Sequence, residues 1–114
     1  MTSGLEQIEL TSPQRVILTS LLTSFADSFA AIVAYGSRAL GDARPGSDLD
    51  LAVIGPASPG TVGNLYSALD ESDLPFSSDV VSLDDRLDSK VRGEILRDGI
   101  VLAGSHADQW RSLI

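Results

Sequence analysis

Two aspartates one residue apart, Asp48 and Asp50, stand at the start of an apolar run in the stretch SDLDLAVIG. Residues at positions i and i+2 of a strand point to the same face, so we expect the two carboxylates to lie side by side. Like charges at that distance repel each other unless a counter-charge is present. A divalent cation removes the conflict, and Mg²⁺ prefers oxygen ligands and also takes phosphate oxygens. The pair therefore predicts a magnesium site that serves a nucleotide.

A third carboxylate would complete a site for two metal ions, which stabilise the entering and leaving oxygens of phosphoryl transfer. Asp79 is the best candidate, because it lies inside an otherwise apolar stretch that is predicted to be a strand. Asp84 and Asp85 are weaker candidates, since they stand at a predicted helix start, where negative charge is favourable in any case.

Gly36 and Ser37 follow a short apolar run and begin a predicted turn, and residues 38–47 separate them from Asp48. Successive backbone N–H groups in such a turn can bind phosphate, and a glycine lets the ligand approach the backbone. The Ser37 hydroxyl can donate to a phosphate oxygen, and Arg38 can neutralise a phosphate if its side chain turns inward. We therefore take Gly36, Ser37 and Arg38 as candidate nucleotide-binding residues.

The elements that must position these residues follow from the apolar pattern, which predicts the order helix, strand, strand, helix, strand, helix, strand. Four strands with helices mainly on one face cover the apolar stripes most simply, so we predict one domain of the α/β (α+β) class. The predicted elements are a helix over 12–28 capped by Ser12, strands over 30–35 and 48–54, a helix capped by Ser58, a strand over 76–83, a helix over 85–98 capped by Ser82 or Asp84, and a strand over 100–103. We assign residues 12–103 to the domain, 1–11 to an N-terminal segment and 104–114 to a C-terminal tail.

The composition limits the classes of partner that we expect this chain to bind. Lys and Arg number 8 against 16 Asp and Glu, and the formal charge of −8 argues against direct nucleic-acid binding. A basic partner or a metal ion suits this charge, although solubility alone also explains an acidic surface. The chain has no cysteine, no apolar run long enough for a membrane span and no signal-peptide pattern, so we expect a cytoplasmic protein without a membrane partner.

Gly36-Ser37, ten residues and Asp48-Leu49-Asp50 resemble the signature of the DNA polymerase β-like nucleotidyltransferase superfamily. The stretch YGSRALGDARPGSDLDLAVIG is similar to its minimal nucleotidyltransferase (MNT) family, and the resemblance extends over about residues 12–103. It implies a short mixed four-stranded sheet, two Mg²⁺ ions and transfer of a nucleoside monophosphate from a triphosphate such as ATP. It also implies that Asp48, Asp50 and Asp79 are catalytic and bind metal. Leu40 departs from the family pattern, since many relatives have arginine there.

Many MNT proteins are the antitoxin of a toxin–antitoxin system whose toxin is an all-helical HEPN ribonuclease, and known members attach AMP to a tyrosine of that toxin. The resemblance therefore implies AMP transfer to a HEPN-type partner. Two alternatives stay open: an antitoxin that neutralises its partner by binding alone, and a nucleotidyltransferase that acts on a small molecule. The sequence does not decide the number of subunits.

We predict structural roles for several residues outside these motifs. We expect His106 to be an ordinary surface residue and Trp110 to pack on the core, with a partner contact as the alternative. Tyr35 is expected to flank the core beside the turn, with a nucleotide contact as the alternative. The sequence leaves open whether Leu5, Ile8 and Leu10 dock on a partner or close a dimer.

Overall fold

Helices and strands alternate along most of the chain in the computed structural model, which describes residues 4–55 and 58–113, with the side chain of Pro59 left out. The predicted N-terminal segment and C-terminal tail thus include residues 1–3 and 114, which lie outside the described part. The elements are the helices α1 (Gly4–Gln7), α2 (Ser12–Thr23), α3 (Ser37–Leu40), α4 (Pro59–Asp70) and α5 (Ser89–Asp98), the strands β1 (Ala31–Tyr35), β2 (Leu49–Ile54), β3 (Ser78–Ser82) and β4 (Ile100–Ala103), and a 3-10 helix over Ala107–Leu113. None of the helices in these ranges has the length and apolar character needed to cross a bilayer.

The four strands form one mixed sheet in the order β3-β2-β1-β4. β1 pairs antiparallel with both β2 and β4, whereas β2 and β3 run parallel. The predicted mixed four-stranded sheet is confirmed. Because β3 lies at one edge of this sheet, no other strand within residues 4–55 and 58–113 flanks its outer side.

Apolar residues on both faces of the sheet are buried, and the alternation along β2 separates the two faces. The larger core lies beneath α1, α2 and α4 and includes Leu49, Leu51 and Val53 of β2. Ala52 and Ile54 contact a second, smaller core beneath α5 and the 3-10 helix. Helices thus cover both faces, with three of them on the side that carries the larger core.

The C-terminal 3-10 helix closes the smaller core through Trp110, which is only 4% exposed. The prediction that this tryptophan packs on the core is confirmed. The Arg111 side chain donates hydrogen bonds to the carbonyl oxygens of Leu96 and Gly99, at 3.1 and 3.2 Å, and so ties this helix to the end of α5.

Thr11, and not Ser12, caps α2. The Thr11 hydroxyl accepts from the backbone N–H of Gln14, and the Gln14 side chain accepts from the Thr11 N–H at 3.0 Å. This reciprocal capping box favours Thr11, because only from that position does Gln14 stand three residues on. The helix also ends at Thr23 instead of continuing to residue 28, since the chain over 24–28 forms turns.

The last helix also begins later than predicted. Asp88 caps α5 by accepting from the N–H groups of Lys90 and Val91. The predicted cap Asp84 instead accepts from the Arg86 N–H at 2.9 Å within a separate turn, which occupies the residues expected to start the helix. By contrast, Ser58 caps α4 as predicted, through the N–H of Thr61.

The N-terminal segment packs within the chain's own core. Leu5 and Ile8 are buried there, so the expectation that they dock on a partner or close a dimer is wrong for these two side chains. Arg15 of α2 holds the segment by donating to the carbonyl oxygens of Leu5 at 2.7 Å, Ile8 at 3.3 Å and Leu10 at 3.2 Å.

Candidate active site

A row of polar side chains crosses three strands at the end of the sheet where β1 ends and β2 and β3 begin. Asp50 on β2 pairs in register with Tyr35 on β1 and with Asp79 on β3. Residues paired in register project from the same face of a sheet, so these side chains are direct neighbours. The structure therefore brings together Asp50 and Asp79, which the sequence separates by 28 residues.

Asp48 adds a third carboxylate from the exposed end of the loop that precedes β2. Burial is the main factor that raises the pKa of Asp50, and the charges of Asp79 and Asp48 raise it further. The three carboxylates thus share one electrostatic environment, in which ionisation of Asp50 is less favourable than for a free aspartate. We call Asp48, Asp50 and Asp79 the acid cluster.

The acid cluster has the donor chemistry of a site for a hard cation, since it offers carboxylate oxygens whose mutual repulsion a cation relieves. Across residues 4–55 and 58–113, however, no three His, Asp or Glu side chains converge closely enough to hold a metal ion. Asp48 and Asp79 are both exposed, so their side chains have room to rotate toward Asp50. Metal binding therefore requires rotation of side chains within this cluster.

Gly36 brings the Gly-Ser turn into contact with the acid cluster. Its φ of 76° lies in the region that favours glycine, and a Cβ there would lie 2.5 Å from Oδ2 of Asp50. The Gly36 carbonyl oxygen accepts from the N–H groups of Ala39 and Leu40, at 3.1 and 3.0 Å, and these bonds turn the chain directly into α3. Ser37 is the first residue of that helix and is half-buried, so it follows the glycine that touches Asp50.

Arg38 does not present a free guanidinium to a phosphate. The side chain is buried, and all three of its nitrogens donate to backbone carbonyl oxygens of Glu9, Pro45 and Ser47. Four of its five N–H groups are used in this way. The structure ties this residue to the loop before Asp48, and the assignment of Arg38 to nucleotide binding stays a prediction.

Tyr35 and Glu94 complete the surroundings of the acid cluster. Burial and then the charges of Asp50, Asp79 and Glu94 raise the pKa of Tyr35 to about 12, so its hydroxyl stays protonated near neutral pH. The sequence indicated Tyr35 only as a neighbour of the turn, and it gave no reason to single out Glu94. The one available signal was that Glu94 directly precedes Ile95, the buried apolar residue of α5.

Comparisons with solved structures identify proteins with a similar fold. A chain of a toxin–antitoxin crystal structure with AMP-PNP superposes with a TM-score of 0.63 at 22% identity, over 83% of this chain and 77% of that one. A mutant form of the toxin–antitoxin MntA–HpeT gives a TM-score of 0.63 at 21% identity, over 90% and 79% of the two chains. A complex of the tri-AMPylated Shewanella oneidensis HEPN toxin with MNT antitoxin gives 0.50 at 21% identity, over 82% and 71%. At these identities the likeness shows a shared fold.

Sequence comparisons show the family. A search of curated protein sequences gives no significant match. The family model described as "Polymerase beta, Nucleotidyltransferase" matches residues 18–108, a range that holds the Gly-Ser turn, the whole sheet and the acid cluster. Because this match covers most of the chain, the protein belongs to the polymerase β nucleotidyltransferase family.

Proposed function

We propose that this chain uses Mg²⁺ to transfer AMP from ATP to a hydroxyl of a partner protein, a tyrosine of a HEPN ribonuclease toxin, and so acts as an antitoxin. The observation that carries the proposal is the close approach of Gly36 to Asp50, which supports a site shared by the Gly-Ser turn and the acid cluster. Membership of the polymerase β nucleotidyltransferase family supports the reaction type. The similar chains from complexes with AMP-PNP and with a tri-AMPylated HEPN toxin support the donor and the partner.

In the proposed reaction the acceptor hydroxyl oxygen attacks the α-phosphorus of ATP. The bond from that phosphorus to the bridging oxygen of the β-phosphate breaks, and the products are an AMP ester and pyrophosphate. Asp48, Asp50 and Asp79 would hold two Mg²⁺ ions, which supply neutralisation of charge on the reacting phosphate and on the departing pyrophosphate.

The remaining work falls to the chain's own residues. Gly36 lets the triphosphate approach the backbone, and the Ser37 hydroxyl donates to one of its oxygens. Asp79 is exposed on the edge strand β3, where it can accept the proton of the attacking hydroxyl as that hydroxyl becomes a nucleophile. Tyr35 stays neutral and adds no charge to a region already rich in carboxylates.

Exposure of the acid cluster favours a large acceptor. Asp48 and Asp79 are open to solvent, and Asp79 lies on β3, the strand at one edge of the sheet. A tyrosine on the surface of another protein can approach such an edge. The net charge of −8 also favours association with a basic partner through electrostatic complementarity.

The test is transfer of label from α-labelled ATP, in the presence of Mg²⁺, to a candidate HEPN-type partner protein or to a protein of a native lysate. A labelled protein band that gains the mass of AMP supports the proposal. The double variant Asp48→Asn, Asp50→Asn should lose the label, whereas Asp73→Asn, a change of an exposed aspartate outside the cluster, should keep it.

The two alternatives give different results. Toxin neutralisation that survives in the double variant indicates an antitoxin that acts by binding alone. Label that appears only in small molecules of a lysate indicates a small-molecule acceptor. If none of the four nucleoside triphosphates gives transfer although a stable complex forms, the enzymatic proposal is wrong.

A further inference from the structure

We infer that Arg38 is a positioning residue for nucleotidyl transfer: its guanidinium holds the loop over residues 42–47 so that Asp48 stays beside the Gly-Ser turn. The catalytic part of this inference rests on the proposed function. The loop-holding part concerns the folded chain alone and can be tested without any reaction.

Arg38 is the one charged residue that is buried in the described part of the chain, with 5% of its surface exposed. A buried charge is tolerated only when its hydrogen-bonding groups are satisfied. Here Nε and Nη2 donate to the Ser47 carbonyl oxygen at 3.1 and 2.8 Å, and Nη1 donates to that of Glu9 at 2.7 Å. A longer bond of 3.4 Å joins Nη2 to the carbonyl oxygen of Pro45. The planar fork of the guanidinium therefore joins two separate segments of backbone.

The carbonyl group that receives two of these bonds belongs to the same peptide plane as the nitrogen of Asp48. Because the peptide unit is planar, holding the Ser47 oxygen fixes the entry of the chain into Asp48. The Arg38 backbone follows Ser37 directly, so the residue that fixes Asp48 is bonded to the residue proposed to hold the phosphate. Arg38 thus links the two halves of the site over a short path.

The flat face of the same guanidinium lies over the Phe76 ring, 3.8 Å from its centroid. Phe76 precedes Asp79 by three residues, and the Ser77 carbonyl oxygen accepts from the Leu49 N–H at 2.9 Å where β2 and β3 begin. The stacking therefore extends the contact of Arg38 from the loop before Asp48 to the segment that leads into Asp79. Both of the exposed carboxylates follow a segment that Arg38 touches.

A role as a direct phosphate ligand makes a different prediction. These bonds leave one N–H of the guanidinium, so a two-pronged phosphate contact must displace a carbonyl partner, and each buried carbonyl oxygen left without a donor is unfavourable. If Arg38 binds phosphate directly, replacing its guanidinium should weaken nucleotide binding and leave hydrogen exchange of the loop over residues 42–47 unchanged. A positioning role predicts a loosened loop and a slower reaction at similar nucleotide affinity.

The decisive variant is Arg38→Lys, because lysine keeps the positive charge but its single ammonium cannot span the Glu9 and Ser47 carbonyls. Arg44→Lys is the matched control, a conservative change of an exposed arginine in the same loop. Three quantities are measured: hydrogen exchange of the amides of residues 42–48, Mn²⁺ binding followed by electron paramagnetic resonance, and kcat and KM for ATP.

For Arg38→Lys we expect loop exchange to accelerate about tenfold, since local opening becomes easier. Mn²⁺ binding should weaken and kcat should fall about 10- to 100-fold, as for a displaced catalytic group, while KM for ATP changes by less than about threefold. Arg44→Lys should match the unmodified protein in all three measurements. Phe76→Leu removes the stacked ring, keeps an apolar side chain and should loosen the loop in the same direction to a smaller extent, so it decides the matter if Arg38→Lys does not fold.

Loop exchange that is unchanged in Arg38→Lys and Phe76→Leu would overturn the inference. A rise in KM for ATP with unchanged kcat and loop exchange would also overturn it and would make Arg38 a phosphate ligand. If the unmodified chain transfers no nucleotide, the proposed function fails, while loop exchange and Mn²⁺ binding still decide the positioning role.

Discussion

Asp50 and Asp79 lie opposite each other in the parallel pairing of β2 with β3, so two carboxylates occupy one face of neighbouring strands. Burial, together with the charges of Asp79 and Asp48, raises the pKa of Asp50, so its ionised form is less favourable in the folded chain than in the unfolded chain. A fold selected for stability alone would not retain this arrangement, because the repulsion lowers the free energy of unfolding. The arrangement is instead typical of residues retained for a reaction.

Replacing Asp50 with asparagine should therefore stabilise the protein while it abolishes transfer. The substitution removes a carboxylate that is costly to ionise, and we expect a gain of about 0.5–2 kcal/mol in the free energy of unfolding, the range common for single stabilising substitutions. Transfer should fall by about 100-fold or more, since metal-bound carboxylates support several kcal/mol of transition-state stabilisation. Urea unfolding and the label-transfer assay measure the two effects on the same sample. A variant less stable than the unmodified protein would contradict this explanation.

The stability difference between the unmodified protein and Asp50→Asn should depend on pH. The pKa of Asp50 is raised in the folded state, so the folded chain binds this proton more tightly than the unfolded chain. Ionised Asp50 therefore lowers the free energy of unfolding at neutral pH. This penalty decreases as the pH falls through the raised pKa, and it is absent below the ordinary value of 3.8, where Asp50 is protonated in both states. The advantage of Asp50→Asn should be largest near neutral pH and should shrink as the solution becomes acidic. Thermal unfolding of both proteins across this range measures the difference, and a gap that widens on acidification would show the opposite sign.

Gly36→Ala should lower both the free energy of unfolding and the rate of transfer. The backbone has a positive φ and the new Cβ meets Oδ2 of Asp50, so we expect a loss of about 1–3 kcal/mol and loss of transfer. Gly63→Ala is the control, because Gly63 lies within α4 and the position that its Cβ would take has, among the described residues, no atom within 4 Å beyond its chain neighbours and the nearby backbone of its own helix. Alanine there should add about 0.5–1 kcal/mol to the free energy of unfolding. Equal effects of the two substitutions on unfolding would contradict the close contact at Gly36.

Ionisation of Tyr35 reports directly on the charge of Asp50. In a Tyr66→Phe background Tyr35 is the only tyrosine, and its phenolate should form with a pKa of about 12. Adding Asp50→Asn should lower the pKa of Tyr35, since the charge of Asp50 is one of the causes that raise it. Phenolate absorbance followed together with far-ultraviolet circular dichroism separates ionisation in the folded chain from alkaline unfolding. An unchanged titration would mean that Asp50 and Tyr35 do not interact.

The capping box at α2 gives a test of the fold itself. Thr11→Ala should cost about 1 kcal/mol, because it leaves the Gln14 N–H without its side-chain acceptor. Ser12→Ala should change stability by less than about 0.5 kcal/mol, since Ser12 is an exposed residue inside the helix. Chemical denaturation of both variants measures the difference, and the reverse order of effects would restore Ser12 as the cap.

Local sequence carried most of the information about the sheet. Period-two alternation around Asp50 identified β2, and an isolated acid within an apolar stretch led to Asp79 before any pairing was known. Local patterns do not decide which of two nearby residues caps a helix when both are suitable. Thr11 and Ser12 are both good caps, and only the side chain of Gln14 selects between them. Asp84 and Asp88 are likewise both suited to cap α5, and a turn around Arg86 uses the first of them.

Contacts between distant segments explain the other points at which the structure differs from the sequence-based predictions. Arg38 beside a Gly-Ser turn looks like a phosphate ligand, and only the folded chain brings the carbonyls of Glu9 and Ser47 to it. Glu94 was overlooked for a similar reason, because its influence on Tyr35 arises from the packing of α5 on the sheet.

The N-terminal segment has a practical consequence for how this protein should be shortened. The family match begins at residue 18, which invites trimming to that boundary. Trimming there would remove the apolar side chains of Leu5 and Ile8 from the core, the Arg15 side chain that anchors them and the Glu9 carbonyl that receives a bond from Arg38. A truncated protein would thus carry every proposed metal ligand and still be compromised in folding and in the order of its active-site loop. The smallest unit worth expressing, crystallising or grafting onto another protein therefore has to retain α1.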